Sequence, residues 1–235
     1  MDENLAFKKF KNWSENQQVL LTDLFPTMQK KEIFHIDLSI NNTTVKTEAE
    51  FNNPAFFEKK LSDIQNLHPK KIITGGYLEK RALYTSDIYN AEHSSEKRNI
   101  HLGVDFWLPE NTPIHAIFDG SIVCSVHQKD HKGYGGFIIL KHTFSAIEFY
   151  TLYGHLSEKS VLLHKTGDTL KKGDKVGVLG NYDENGKWVP HLHYQIMLSL
   201  LDYQNDFPGV ALEREIAYWK SICPNPNLLF KSHAL

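Results

Sequence analysis

Between Ile100 and Leu198 the apolar positions come in short bursts separated by turn residues, which is the pattern of successive β-strands. Val104, Phe106 and Leu108 alternate, and Pro109-Glu-Asn-Thr-Pro113 turns the chain. Residues 114–118 and 121–126 flank Asp119-Gly120, a hairpin signal. Gly133-Tyr-Gly-Gly136 leads into a strand over 137–141, and a further strand covers 147–153. Residues 167–180 wrap tight glycine turns around short strands, and 191–198 form the last one. Strands at this regular spacing predict an antiparallel β core.

The flanks follow other periods. Leu5, Phe7, Phe10 and Trp13, then Val19, Leu20, Leu21 and Leu24, predict one or two short helices within residues 1–31. A strand is expected over 33–40, with Ile36, Leu38 and Ile40 on one face, and another from Lys71. Helices are expected over 54–67 and over 211–222, the second stopped by Cys223-Pro-Asn-Pro-Asn227. Residues 85–98 are polar and predict a loop. The chain therefore divides into a flank at 1–95, placed to pack on or cover a groove, a β core at 96–200, and a C-terminal helix and tail at 201–235. The fold class expected is mainly β, α+β overall.

Composition narrows the function. The chain has 235 residues, 41% hydrophobic and 23% charged, with a net charge of −2, ordinary for a globular protein. That charge offers no electrostatic case for nucleic acid or an anionic membrane, and no apolar run reaches the length of a membrane-spanning helix. The N-terminal Met1-Asp-Glu-Asn-Leu lacks the apolar core of a secretion signal. The expectation is a cytoplasmic protein as the sequence stands, periplasmic or secreted if a signal has been removed. Cys124 and Cys223 sit in no metal-type cluster and are expected to be free thiols.

The chemistry lies between His101 and His193. In a strand, residues two apart share a face, so His191 and His193 point together while Leu192 points away. If 101–105 is extended, His101 and Asp105 share a face too. Two imidazoles and a carboxylate at such spacings suit tetrahedral zinc with one position left open, the catalytic rather than the structural pattern. Further histidines are then available for acid–base work, and the residues predict a zinc hydrolase.

The stretches HLGVDF, TPIHAIFDGSIV, GYGGFIILKH, YTLYGHLSE, GDTLKKGDKVGVLGN and PHLHYQI, in this order across residues 101–197, resemble the lysostaphin/LytM-type zinc metallo-endopeptidases. The resemblance implies an antiparallel sheet forming a groove over one Zn2+ per chain. It implies His101, Asp105 and His193 as ligands and His155 and His191 as the catalytic pair, and peptides of the peptidoglycan stem or cross-bridge as substrate. Tyr153, Asn181 and Trp188 are candidate substrate contacts. Where relatives carry a short small-residue turn before the final motif, this chain has Asn181-Tyr-Asp-Glu-Asn-Gly-Lys-Trp188-Val-Pro190, bulkier and more polar. HIDLS, GGYLEKRALY and CPNPNLL in the flanks resemble a subgroup in which such a segment lies between phosphotransferase-like and class III aminotransferase-like domains. In that setting the substrate would be an intracellular amide or small peptide, with Arg81 and Arg98 as candidate anion binders. A non-catalytic metallopeptidase-like partner or scaffold protein is the other alternative. GDTLKKGDKVGVLG also resembles a lipoyl-carrier hairpin, but no lysine turn flanked by Met or Asp of the required kind accompanies it. His142 is expected to be structural, and His115, His127, His131 and His164 are assigned no role.

Overall fold

A computed structural model describes residues 3–29, 32–45, 47–92, 94–145 and 147–235. Residues 1 and 2, from the stretch weighed above as a secretion signal, lie outside the described residues, as do 30 and 31 at the end of the first predicted helical region. The strands are β1 (Glu32–Ile36), β2 (Lys71–Gly75), β3 (Ile100–His101), β4 (Val104–Trp107), β5 (Pro113–His115), β6 (Gly120–His127), β7 (Gly136–Phe144), β8 (Ile147–Leu156), β9 (Thr169–Leu170), β10 (Lys175–Val178), β11 (His191–Met197) and β12 (Val210–Ala211). The helices are α1 (Glu3–Glu15), α2 (Leu21–Leu24), α3 (Glu48–Asn52), α4 (Pro54–Leu67), α5 (Glu158–Leu162), α6 (Ile216–Ile222) and α7 (Asn227–Phe230).

Eight strands form one sheet in the order β1-β2-β4-β11-β8-β7-β6-β9. Only β1 and β2 pair in parallel; the other pairings are antiparallel. The pairs β5–β10 and β3–β12 make two small ribbons. The fold is thus mainly β and dominated by antiparallel pairing, as the strand spacing predicts.

Both faces of the sheet are covered, so its central strands are buried throughout rather than half wet. On one face Val104, Phe106, Tyr153, Leu192 and Tyr194 pack with Phe10, Leu24 and Phe25 of the N-terminal segment. On the other, Ile139, Leu152 and Met197 meet Leu102, Phe207, Trp219 and Cys223. α4 begins as its sequence dictates: Asn53 caps it, its side chain accepting from the Phe56 N–H, and Pro54 fills the first turn, where no N–H is needed. Cys124 and Cys223 are free and buried.

Three expectations are corrected. The strand expected over 33–40 ends at Ile36, because the Asp37 carboxylate accepts the Ser39 N–H and the Leu38 N–H turns to Glu79. Asp119-Gly120 is not a hairpin turn: β5 pairs with β10, while β6 pairs with β7 and β9. Asp119 instead accepts from the Lys172 N–H and the Lys171 ammonium, fastening a distant turn. The helix expected over 211–222 shortens to α6, because Val210 and Ala211 are drawn into pairing with β3.

Candidate metal centre and its cavity

The register of the central strands decides which side chains meet. In β11 His193 lies opposite Asp105 of β4 and opposite Gly154 of β8. Paired residues share a face, so Asp105 and His193 stand together, away from the Tyr194 and Leu192 core. Gly154 leaves the room: a Cβ there would lie 3.3 Å from His193 Cβ and 2.8 Å from the Tyr134 ring. His101 does not arrive by alternation with Asp105. It sits on the separate ribbon β3–β12, and the chain bends back into β4 through Gly103, where a Cβ would fall 2.7 Å from His193 Nε2.

His155 reaches the centre by a backbone reversal. Tyr153 is opposite Tyr194 and points into the core, and a regular strand would send His155 the same way. The backbone at His155 is instead left-handed, φ 64°, which turns the imidazole over to the His193 side. A non-glycine residue there stores roughly 1–3 kcal/mol, strain of the kind that collects at functional sites.

The tautomers follow from the hydrogen-bond partners. His101 Nδ1 faces the Gly76 carbonyl at 2.9 Å, His155 Nδ1 the Asn185 carbonyl at 2.9 Å, and His191 Nδ1 the Val189 carbonyl at 2.7 Å. A carbonyl only accepts, so each Nδ1 carries the proton and each Nε2 offers a lone pair. His193 is the reverse. Gln195 Nε2 donates to the Pro208 carbonyl at 3.1 Å, which leaves its Oε1 to accept from His193 Nε2 at 2.8 Å, and Nδ1 is the free nitrogen.

Three lone-pair atoms therefore converge: His101 Nε2, His193 Nδ1 and Asp105 Oδ1, all within 4.8 Å of one another and all from buried residues. His101 Nε2 is 2.9 Å from His193 Nδ1, and Asp105 Oδ1 is 3.2 and 3.4 Å from these two. Asp105 Oδ1 finds no hydrogen-bond donor among the described residues. Its twin, Oδ2, is held at 2.7 Å by Arg81, whose Nε binds Glu79 at 2.6 Å. Facing acceptors with no proton between them repel, and a cation at their meeting point relieves this; the donor set is nitrogen and oxygen, as zinc takes it.

Burial opposes charge on these groups, yet Asp105 stays ionised: the Arg81 guanidinium beside it helps to hold its carboxyl well below the usual range. Burial first, then Arg81, lowers His101 to about 4. Burial, then His191 and His193, pushes His155 well below its ordinary value, and burial lowers His191 despite the nearby Asp105. These imidazoles are neutral at pH 7, as ligands and bases must be.

The rings of His155 and His191 lie 4.1 Å apart, centre to centre, on the wall of a cavity of about 190 Å³. Trp188 lines it, 6.4 Å from His155 and 6.5 Å from His191, ring to ring. Tyr153 and Asn181 do not line it: Tyr153 is fully buried against Tyr194, and Asn181 is exposed. Phe51, Phe57 and Tyr84 of the flank, and Arg98 just beyond it, also line the cavity. Arg98 donates to the Ile88 carbonyl, and Arg81 is buried with its Nε on Glu79 and its Nη1 on Asp105. His142 is buried and bonded to Asp119 and Thr151, a structural histidine. Gln195 and Asn185 were not singled out from the sequence; Gln195, two residues beyond His193 on the same face, carried a usable spacing signal, whereas Asn185 meets His155 only through the fold.

Residues 99–205 match Peptidase family M23. The chain is 35% identical over 99 residues to an uncharacterized metalloprotease of Haemophilus influenzae, covering 42% of this chain and 19% of that protein. It is 31% identical over 99 residues to the peptidoglycan DD-endopeptidase ShyA of Vibrio cholerae, covering 42% and 20%. Against lysostaphin of Staphylococcus staphylolyticus it is 30% identical over 141 residues, covering 57% and 27%. The chain thus spans about a fifth to a quarter of the length of these relatives. The solved catalytic domain of lysostaphin from Staphylococcus simulans aligns at 26% identity over 56% of this chain and 88% of that one, with a TM-score of 0.36. Within residues 99–205 the chain carries a peptidase family M23 domain, homologous to lysostaphin and to ShyA.

Proposed function

We propose that this protein is a zinc-dependent endopeptidase that hydrolyses peptide bonds of peptidoglycan-type peptides. The observation that carries the proposal is the convergence of His101 Nε2, Asp105 Oδ1 and His193 Nδ1, each fixed from behind by Gly76, Arg81 or Gln195. These three atoms would hold one Zn2+. The ion supplies Lewis acidity, which polarises a peptide carbonyl and makes water acidic enough, with a pKa near ~7, to lose a proton at neutral pH.

The chain's own groups do the rest. His191 and His155 both turn Nε2 lone pairs to the cavity, and both begin the cycle as bases. One of them takes the proton of the attacking water, and the imidazolium so formed passes it to the departing amine. Asp105 Oδ1, 3.8 Å from His191 Nε2, favours the charged form as it appears. The homologous peptidoglycan endopeptidases support this substrate class.

A second reading, hydrolysis of an intracellular amide or small peptide in the subgroup with phosphotransferase- and aminotransferase-like neighbours, is favoured by the flank residues that help to line the cavity. One experiment separates the two. Zinc-loaded protein is incubated with purified peptidoglycan and with a glycine-rich peptide library, products are identified by mass spectrometry, and His193→Ala serves as control. Defined, control-sensitive cleavage of peptidoglycan is the expected result; cleavage of short peptides alone supports the second reading, and no cleavage by protein holding one zinc refutes both.

A further inference from the structure

Beyond the histidines, the cavity wall carries an ammonium that pairs with none of Asp105, Asp130 and Asp206, the carboxylates that also line it. Lys132 is 9% exposed and lines the same cavity as His155 and Trp188. Its ammonium lies 3.9 Å from the centre of the Trp188 ring and donates to the Lys187 carbonyl at 3.1 Å. Among the described residues no carboxylate pairs with it. An aromatic face and one carbonyl stabilise an ammonium, but a buried charge of this kind is usually matched by an anion. Burial accordingly lowers its pKa to about 8, which leaves it mostly protonated at pH 7.

The position is held firmly. Lys132 has a left-handed backbone, φ 68°, kept there by its N–H to the Gly186 carbonyl at 2.8 Å and by the Tyr89 hydroxyl on its own carbonyl. Trp188 is fixed by its indole N–H to Gly133 and its backbone N–H to the Asn185 side chain. Asn185 in turn accepts from His155 Nδ1. One rigid chain of contacts thus sets the ammonium a single indole ring away from the catalytic pair. Left-handed backbone at a non-glycine residue persists where the surroundings over-determine it, and such residues cluster at functional sites.

We propose that Lys132 binds the carboxylate of the substrate, so that the cavity selects peptides whose free C-terminal carboxylate lies close to the bond being cut. The inference rests on the peptidase reading and narrows its substrate class. The cavity's size agrees: about 190 Å³ is below the ~300 Å³ at which sites for larger ligands begin.

The test measures binding separately from turnover. Acetyl-Gly-Gly and its C-terminal amide are titrated by calorimetry into the zinc-loaded, full-length His155→Ala protein, with Lys132→Met and Lys132→Arg added in turn. The acid is expected to bind at least tenfold more tightly than the amide; Lys132→Met should abolish the difference and Lys132→Arg should keep most of it. Equal binding of acid and amide overturns the proposal. So does a preference that survives Lys132→Met, which would place the carboxylate on the metal. Peptidoglycan digestion by the native protein reports independently on the peptidase reading, so either can fail without the other.

Discussion

Replacing Gln195 by Met tests whether the sequence two residues past His193 sets the metal centre. Gln195 is fully buried; its Oε1 accepts the His193 Nε2 proton at 2.8 Å and its Nε2 donates to the Pro208 carbonyl at 3.1 Å. Met fills similar volume but accepts no strong hydrogen bond. His193 would then lose the partner that keeps its proton on Nε2, and the other tautomer puts a hydrogen on Nδ1, the atom facing His101 and Asp105. Loss of such a supporting acceptor typically weakens metal binding by about 10–100-fold, or about 1.4–2.8 kcal/mol. Leaving the His193 N–H and the Pro208 carbonyl unpaired also lowers the stability of the metal-free protein by about 1–3 kcal/mol for each group. Zinc affinity is read by competition with a chelator of known strength, and urea unfolding of the metal-free protein measures the stability change separately. Gln195→Glu keeps an acceptor for His193 and loses only the donor to Pro208, so it should bind zinc at least as tightly as native while being less stable. A Met variant that holds zinc within about twofold of native would refute the tautomer argument, however much its stability falls.

Other outcomes follow from the same geometry. His155→Ala should leave zinc affinity unchanged, because its nitrogen is not among the three converging atoms, and lower turnover by about 10²–10⁴-fold in peptide hydrolysis assays. Gly103→Ala should weaken zinc binding in the same chelator competition, because the new methyl would stand 2.7 Å from both His193 Nε2 and the Tyr194 carbonyl. His142 predicts a pH dependence. Burial lowers it from 6.5 to about 4, so on acidification the unfolded chain takes up this proton first, and stability present above pH 6.5 is lost as the pH falls toward 4. Between pH 7 and 5 this one group accounts for about 2 kcal/mol; His142→Gln should lose that much less than native in urea titrations at the two pH values, and equal losses would count against it.

Several features of the site were legible in advance because they are local. Alternation in β11 put His191 and His193 on one side of Leu192, and their match to Asp105 needed only an adjacent strand. The Asn53-Pro54 start of α4 is read from residues that bond within one turn. Two of the misreadings share a cause, a partner distant in sequence. Asp119-Gly120 resembles a hairpin turn, yet the strand beside β5 is β10, beyond residue 170. Arg81 resembled a free anion binder, but it is buried, with Glu79 on its Nε and Asp105 on its Nη1. Tyr153 looks close to His155 along the chain; the left-handed turn at His155 puts the two on opposite faces of the sheet.

The sequence by itself determined the strand periodicity, the histidine and aspartate spacings and the resemblance that joins them, because these depend on neighbours and on alternation with period two. The tertiary structure alone decided which nitrogen of His101 and His155 is free, that Arg81 is already paired with Asp105, and that residues of the flank line the cavity. Those outcomes depend on the Gly76 and Asn185 carbonyls and the Asp105 carboxylate, brought from tens of residues away, and a linear pattern holds no record of which of them will meet.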